Sequence, residues 1–179
     1  MTAPIPSLAG RSVDANDETR LVQVYGHLFE YSPWVVHRAW AKRPFKDAAA
    51  LHEAFLQVLA EAAPDERLAL ARAHPELADR VSIARGLTED SAREQASAGL
   101  DRLSASDYTL FHSLNRAYRE RHGFPFIICV KLHDKDSILS AMGERLDRSS
   151  DTELDEAMTQ VGLISRLRMA DIEVGRGPD

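Results

Sequence analysis

Apolar residues recur at intervals of three and four along most of the chain, the spacing of one face of an α-helix. Leu21, Val24, Tyr25 and Leu28 share one side of a helix over residues 17–30. Ser32-Pro33-Trp34 interrupts that run and opens another, because proline is tolerated in a first turn. Leu51, Ala54, Phe55, Val58 and Leu59 mark an alanine-rich amphipathic helix over 47–62. Pro64-Asp65-Glu66 places a proline and two acids where a helix start favours them. Pro75 should end that helix near Ala73, since it disfavours a helical His74. Ser91-Ala-Arg-Glu94 reads as a capping box whose helix runs to Gly99. Ser104 opens a helix that reaches about His122 and is stopped by Gly123 and Pro125. Helices over 136–146 and 152–172 complete the set. Phe126–Leu132 is the one strand-like run, too short and isolated to found a sheet. The pattern predicts an all-α fold, a single compact multi-helix domain over 16–173, with loose ends at 1–15 and 174–179.

Composition narrows the partners more than the fold. The length of 179 residues allows one domain with a sizeable core. A net charge of −6 and the lack of a basic stripe argue against nucleic acid as a partner. A small anionic ligand stays compatible, because one or two buried arginines outweigh a mildly negative surface. The lone cysteine, Cys129, lies in the apolar run Phe126–Val130. It can form no internal disulfide, which fits a reducing compartment, and a thiol in apolar surroundings is inert. No stretch approaches the roughly 20 apolar residues that span a bilayer. The first residues lack a signal peptide's basic start and apolar block, and the last are not a peroxisomal address. The expected location is the cytoplasm, away from membranes.

The informative positions are polar residues on faces that should be buried. On the last helix Leu154, Ala157, Met158, Val161, Ile164 and Ile172 form one stripe, and Arg168 falls inside it while Arg166 points away. A guanidinium facing a core needs an anionic partner or a ligand, and an internal salt bridge is the ordinary solution. Asn115 shares a face with Tyr108, Phe111 and Tyr118. A buried amide usually serves the backbone of an irregular segment, here the adjacent Gly123–Phe126 loop. His74 sits between a helix end and a proline, where dipole and burial pull its proton affinity in opposite directions. Such a histidine can exchange a proton near neutrality, or simply cap the helix. Glu94 can be a general acid–base partner, or the third residue of its capping box. His27 and Glu30 could offer two metal ligands on one face, but no second pair matches them, and His133-Asp134 reads as a surface loop. There is no Gly-x-Ser-x-Gly elbow and no phosphate-binding or dinucleotide-binding glycine loop. Any chemistry should therefore need no metal and no organic cofactor.

Several segments together resemble the 2-oxo-4-hydroxy-4-carboxy-5-ureidoimidazoline (OHCU) decarboxylases, which complete the route from urate to S-allantoin. They are Phe29-Glu-Tyr-Ser-Pro-Trp34, Ala73-His-Pro-Glu-Leu-Ala78, Ser91-Ala-Arg-Glu-Gln-Ala-Ser-Ala-Gly-Leu100, Leu114-Asn-x-x-Tyr118, Gly123-Phe-Pro-Phe-Ile-Ile128, and Arg145-Leu146 followed by Ile164-x-x-Leu-Arg168. They occur in the family's order and cover about 17–172. Each is weak alone; the ordered set is specific. Glu76 stands where the family often has Asp, a change outside the chemical groups.

The resemblance implies an all-helical domain, a homodimer, and no metal or cofactor. It implies His74 and Glu94 as catalytic residues. Pro75, Ser91, Gln95 and the backbone of Phe126, Ile127 and Ile128 would line the substrate site, and Arg168 would contact the substrate. Three other readings remain open. One is a non-catalytic helical module binding a purine catabolite, against which the presence of both His74 and Glu94 argues. A second is a related lyase for another cyclic ureide. A pure interaction domain, displaying Tyr31, Trp34 and Trp40, is the blandest option.

Overall fold

The computed structural model of the chain describes residues 7–11, 13, 15, 17–78 and 88–175, with side chains to residue 172. Among them every regular element is helical. Eight α-helices occur in order: α1 (Glu18–Tyr25), α2 (Trp34–Trp40), α3 (Ala48–Glu61), α4 (Pro64–Ala73), α5 (Glu89–Ser97), α6 (Ala105–His122), α7 (Lys135–Leu146) and α8 (Ser150–Gly175). Short 3₁₀ turns cover Gly26–Phe29 and Val130–Leu132. The all-α expectation holds. The strand-like Phe126–Leu132 run forms no ladder; it is an irregular buried segment that ends in the second 3₁₀ turn.

Most boundaries follow local chemistry. Asp47 caps α3 by accepting from Ala50 N at 2.9 Å. Ser104 caps α6 in the same way through Asp107 N. Gly123 ends α6 at φ 78°, the left-handed conformation glycine adopts without penalty. The α4 helix stops at Ala73, as Pro75 requires.

One boundary corrects the sequence reading. The cap of α5 is Thr88, whose hydroxyl accepts from Ser91 N at 3.3 Å. Ser91 is therefore inside the first turn, and Glu94 is no capping-box residue. The helix also ends at Ser97, before the left-handed Gly99. Glu89 and Asp90 decide the frame, because they place two carboxylates beside the first-turn N–H groups.

The chain clusters into two compact helical units. One comprises residues 71–160. Its core joins Phe111 and Tyr118 of α6, Phe124 and Phe126 of the following segment, Ile138 and Met142 of α7, and Ala157 of α8. The Tyr118 ring meets those of Phe124 and Phe126 edge-on, with centroids 5.9 and 5.2 Å away. The α5 helix packs on the 130–132 turn.

The other unit takes the described residues up to Leu70 and from Val161 onward. Tyr25, Phe29 and Phe55 form its aromatic centre. Gly162 lets α8 approach α3 closely: a Cβ there would lie 2.7 Å from Leu56 Cδ2. Beside it His52 Nε2 lies 3.1 Å from the Gly162 carbonyl.

The N-terminal expectation needs correction for residues 7–11. Leu8 is fully buried, Gly10 N donates to Asp47 Oδ2 at 3.2 Å, and Ala48 N donates to the Arg11 carbonyl at 2.8 Å. At the other end α8 continues to Gly175, and the expected loose tail beyond it lies outside the described residues.

Candidate active site

The unit of residues 71–160 gathers most of the predicted site. His74 leaves the end of α4, where its N–H still bonds the Ala71 carbonyl at 3.2 Å. Its side chain is buried, with Nε2 sealed from solvent. The segment after it, Pro75 to Ala78, is irregular, and Ala78 takes a positive φ of 57°. A non-glycine residue in that region is strained and persists only where its surroundings hold it.

Three side chains supply the hold. Gln95 Oε1 accepts from Ala78 N at 2.9 Å, and its Nε2 donates to the Glu76 carbonyl at 3.4 Å. Asn115 Nδ2 donates to the Leu77 carbonyl at 2.8 Å. Arg119 pairs with the Glu76 carboxylate at 2.7 Å. Asn115 thus serves the His74 segment, not the Gly123–Phe126 loop expected from sequence. The client is set by the fold: α6 runs past residue 77, and sequence proximity to residue 123 has no bearing on it. The Asn115 Oδ1 atom is buried and accepts no hydrogen bond from the described residues.

Gln95 also fixes which face of α5 turns inward. Ser91, Glu94 and Gln95 are all buried, the three polar residues of that helix that are. A carboxylate and an amide on a buried face of a nine-residue helix are costly unless they have partners. Thr88, not Ser91, caps the helix, so Glu94 faces inward without a capping-box role.

The third component is the run Phe126, Ile127 and Ile128, with only 1%, 3% and 4% of their surfaces exposed. Its backbone is pinned from two sides. Arg145 Nη1 donates to the Ile127 carbonyl at 3.0 Å, and Cys129 N donates to Gln160 Oε1 at 2.8 Å. Arg145 also lies over the Phe126 ring, 4.4 Å from its centroid, and donates through Nε to Glu153 at 2.9 Å. Glu153, fully buried, accepts a further bond from the Tyr118 hydroxyl. Burial and this carboxylate push the Tyr118 hydroxyl far above its ordinary pKa, so it stays protonated.

Sequence reasoning missed the Tyr118–Glu153–Arg145 cluster. Glu153 reads as an ordinary acid in a helix's first turn, which is a solvated position in most helices. Arg145 carried a faint signal, as an arginine beside apolar residues near the end of α7.

Arg168 belongs to the other unit. There Nη2 lies 2.8 Å from Glu30 Oε1 and Nη1 donates to the Leu28 carbonyl at 3.3 Å, with both charged side chains fully enclosed. The wheel argument for a core-facing arginine with an anionic partner is met by Glu30. That pair also answers the His27/Glu30 ligand idea, since Glu30 is engaged and His27 is exposed. Among the described residues, no group of three or more His, Cys, Asp or Glu side chains is placed to hold a metal ion.

The fold and the first unit's site together define a helical protein with a buried histidine and a buried carboxylate on elements stapled to each other. Comparison with known proteins gives that class its family. The OHCU decarboxylase family model matches residues 14–170, and the chain belongs to that family. An OHCU decarboxylase of Haloferax volcanii is 41% identical over 161 residues, covering 90% of this chain and 94% of that protein. The one from Halalkalicoccus jeotgali is 39% identical over 160 residues, covering 89% of each. Among solved structures, an OHCU decarboxylase determined in the presence of (S)-allantoin superposes with a TM-score of 0.66. It covers 82% of this chain and 95% of that one at 22% identity, a likeness of fold.

Proposed function

We propose that the buried cluster around His74 is where this chain decarboxylates OHCU to S-allantoin, in urate catabolism. The observation that carries the assignment is the Gln95 staple. It bonds the backbone of Glu76 and Ala78, and so fastens the helix bearing Ser91 and Glu94 to the segment bearing His74. Two buried acid–base groups held in this way are what a proton-transfer site needs.

The substrate supplies its own electron sink. Its carboxylate and hydroxyl share one ring carbon, next to a C=N bond. As the bond to the carboxylate breaks, its electron pair moves toward that C=N, and the ring nitrogen takes up a proton. The hydroxyl then becomes a carbonyl by losing its proton, while the neighbouring carbon gains one. His74 is the general acid/base for the hydroxyl proton and the final protonation. Glu94 orients and polarises His74 or the substrate oxygen. Delivery from one side sets the stereocentre. Pro75 and Phe126 wall the ring, and an apolar enclosure favours a carboxylate leaving as neutral carbon dioxide. Ser91, the second amide N–H of Gln95 and the backbone of Phe126, Ile127 and Ile128 bond the ring and ureido groups. No metal or cofactor has a task in this scheme. Arg168 as a substrate contact is part of the same proposal.

The direct test adds the protein to freshly generated urate-oxidation product and follows the circular dichroism of allantoin. Wild type should produce the S enantiomer faster than the spontaneous reaction. His74→Ala should lose that acceleration while keeping its helical far-ultraviolet signal. General acid–base groups of this kind contribute about 10²–10⁴-fold. An unaccelerated wild type, or a His74→Ala enzyme at full rate, ends the assignment.

We extend the reading to a cytoplasmic homodimer. Support comes from the single buried cysteine, from the lack of a membrane-spanning helix among the described residues, and from Tyr31, which is 73% exposed beside the half-buried Trp34. Sedimentation of wild type and Tyr31→Ser checks the last point; a monomeric wild type refutes it.

A further inference from the structure

The cluster beneath Phe126 does more than fill the core. Burying an arginine and a glutamate at 6% and 0% side-chain exposure gains little stability over well-packed apolar residues. What the pair does achieve is geometric. Glu153 is held by Tyr118, Arg145 and, at 3.4 Å, Arg148, so it cannot swing. It fixes Nε of Arg145. The planar guanidinium then carries that constraint to Nη1 and on to the Ile127 carbonyl. A peptide unit is itself planar and trans, so its C=O and the next N–H point in opposite directions. Pinning the Ile127 carbonyl to Arg145 therefore aims the Ile128 N–H away from the cluster. Among the described residues no group accepts from that N–H, although Ile128 is buried. An amide donor of a buried residue with no acceptor among the described residues is rare and is open to an acceptor from outside them, which a bound ligand can supply.

We propose that Arg145, anchored on Glu153, is a positioning residue that fixes the Ile127–Ile128 peptide so that the Ile128 N–H is presented to a carbonyl of the substrate. The inference rests on the reading of Phe126–Ile128 as site lining. Arg145 touches no reacting atom; it acts through the backbone.

The probe is (S)-allantoin, followed by amide nuclear magnetic resonance on the full chain, together with steady-state kinetics on OHCU. In wild type the Ile128 amide should shift on titration. Arg145→Lys keeps the charge beside Glu153 but lacks the fork needed to hold Glu153 and the Ile127 carbonyl together. It should bind allantoin about tenfold more weakly and raise KM by a similar factor with a smaller change in kcat, the size expected for one misaligned hydrogen bond. A merely structural Arg145 gives the opposite split: a lower melting temperature, with unchanged KM and allantoin affinity in the folded fraction. That result overturns the proposal. So does an Ile128 amide that stays still in an active, allantoin-binding wild type, a measurement that needs no variant to fold. A wild type that neither binds allantoin nor turns over OHCU fails the underlying functional reading and removes this one with it.

Discussion

Glu30 holds a backbone φ of 51° with ψ −124°, a positive-φ conformation that a glutamate rarely takes, and its carboxylate is enclosed beside Arg168. Strain and a buried charge coexist there because the ion pair and the Leu28 carbonyl over-determine the geometry. Arg168→Ala would take the guanidinium away from a buried carboxylate and should cost about 3–5 kcal/mol in a urea melt. Glu30→Gln combined with Arg168→Met should recover much of that loss. An Arg168→Ala protein of wild-type stability but weaker substrate affinity would instead assign the arginine to the substrate. The two halves of this pair differ in legibility. Arg168 is visible in the sequence as a charge inside an apolar stripe. Glu30 is not, because it stands far away in the chain at the end of a 3₁₀ turn, where helical periodicity gives no face to read. Asn115 teaches the same lesson. Its buried face was readable, whereas its partner at Leu77 depended on which segment crosses α6.

For the elements, the instructive case is α5. Two overlapping patterns compete at its start, Thr88-x-x-Ser91 and Ser91-x-x-Glu94; both open on a residue type an N-cap favours, and only the second has the capping-box acid. The structure selects Thr88. Thr88→Ala should therefore destabilise by about 1 kcal/mol and speed hydrogen exchange along α5, while Ser91→Ala should leave that helix's exchange nearly unchanged. The reverse ranking would restore Ser91 as the cap. The choice bears on the site, because it removes the capping-box role from Glu94. Elsewhere the helix starts and stops were legible: Pro64, Pro75, Ser104 and Gly123 each act through one backbone constraint that operates within a few residues. The irregular segments 74–78 and 126–129 were legible only through resemblance, since their conformations come from distant side chains such as Gln95, Asn115 and Arg145.

For the whole molecule, three histidines contribute to the response to mild acid. His52 in one unit, and His122 and His133 in the other, all have pKa values lowered from about 6.5, in each case chiefly by burial. The unfolded chain then binds protons more readily than the folded one as pH drops. Stability should be full above about pH 6.5 and fall as pH is lowered through that value toward the depressed folded pKa values. Urea melts between about pH 7.5 and 5 should show the decline, and His52→Gln should flatten part of it. A stability that is constant or rises on acidification contradicts this account. Local patterns gave the helices but not their grouping. Three- and four-residue spacing says that a face is apolar; it carries no label for the core that face will join.

The contacts of residues 8–11 bear on where this protein starts as a folding unit. The family match begins at residue 14. Leu8 fills the interior all the same, and Asp47 uses one carboxylate to cap α3 and to catch Gly10 N. The family match and the packed structure therefore begin at different places. A gene trimmed to the shared stretch would keep every residue assigned to chemistry. It would also leave a hole where Leu8 sat, an Ala48 amide without its acceptor at Arg11, and an unlatched helix start. Truncations drawn from alignments should be judged here by the plug they remove as much as by the motifs they keep.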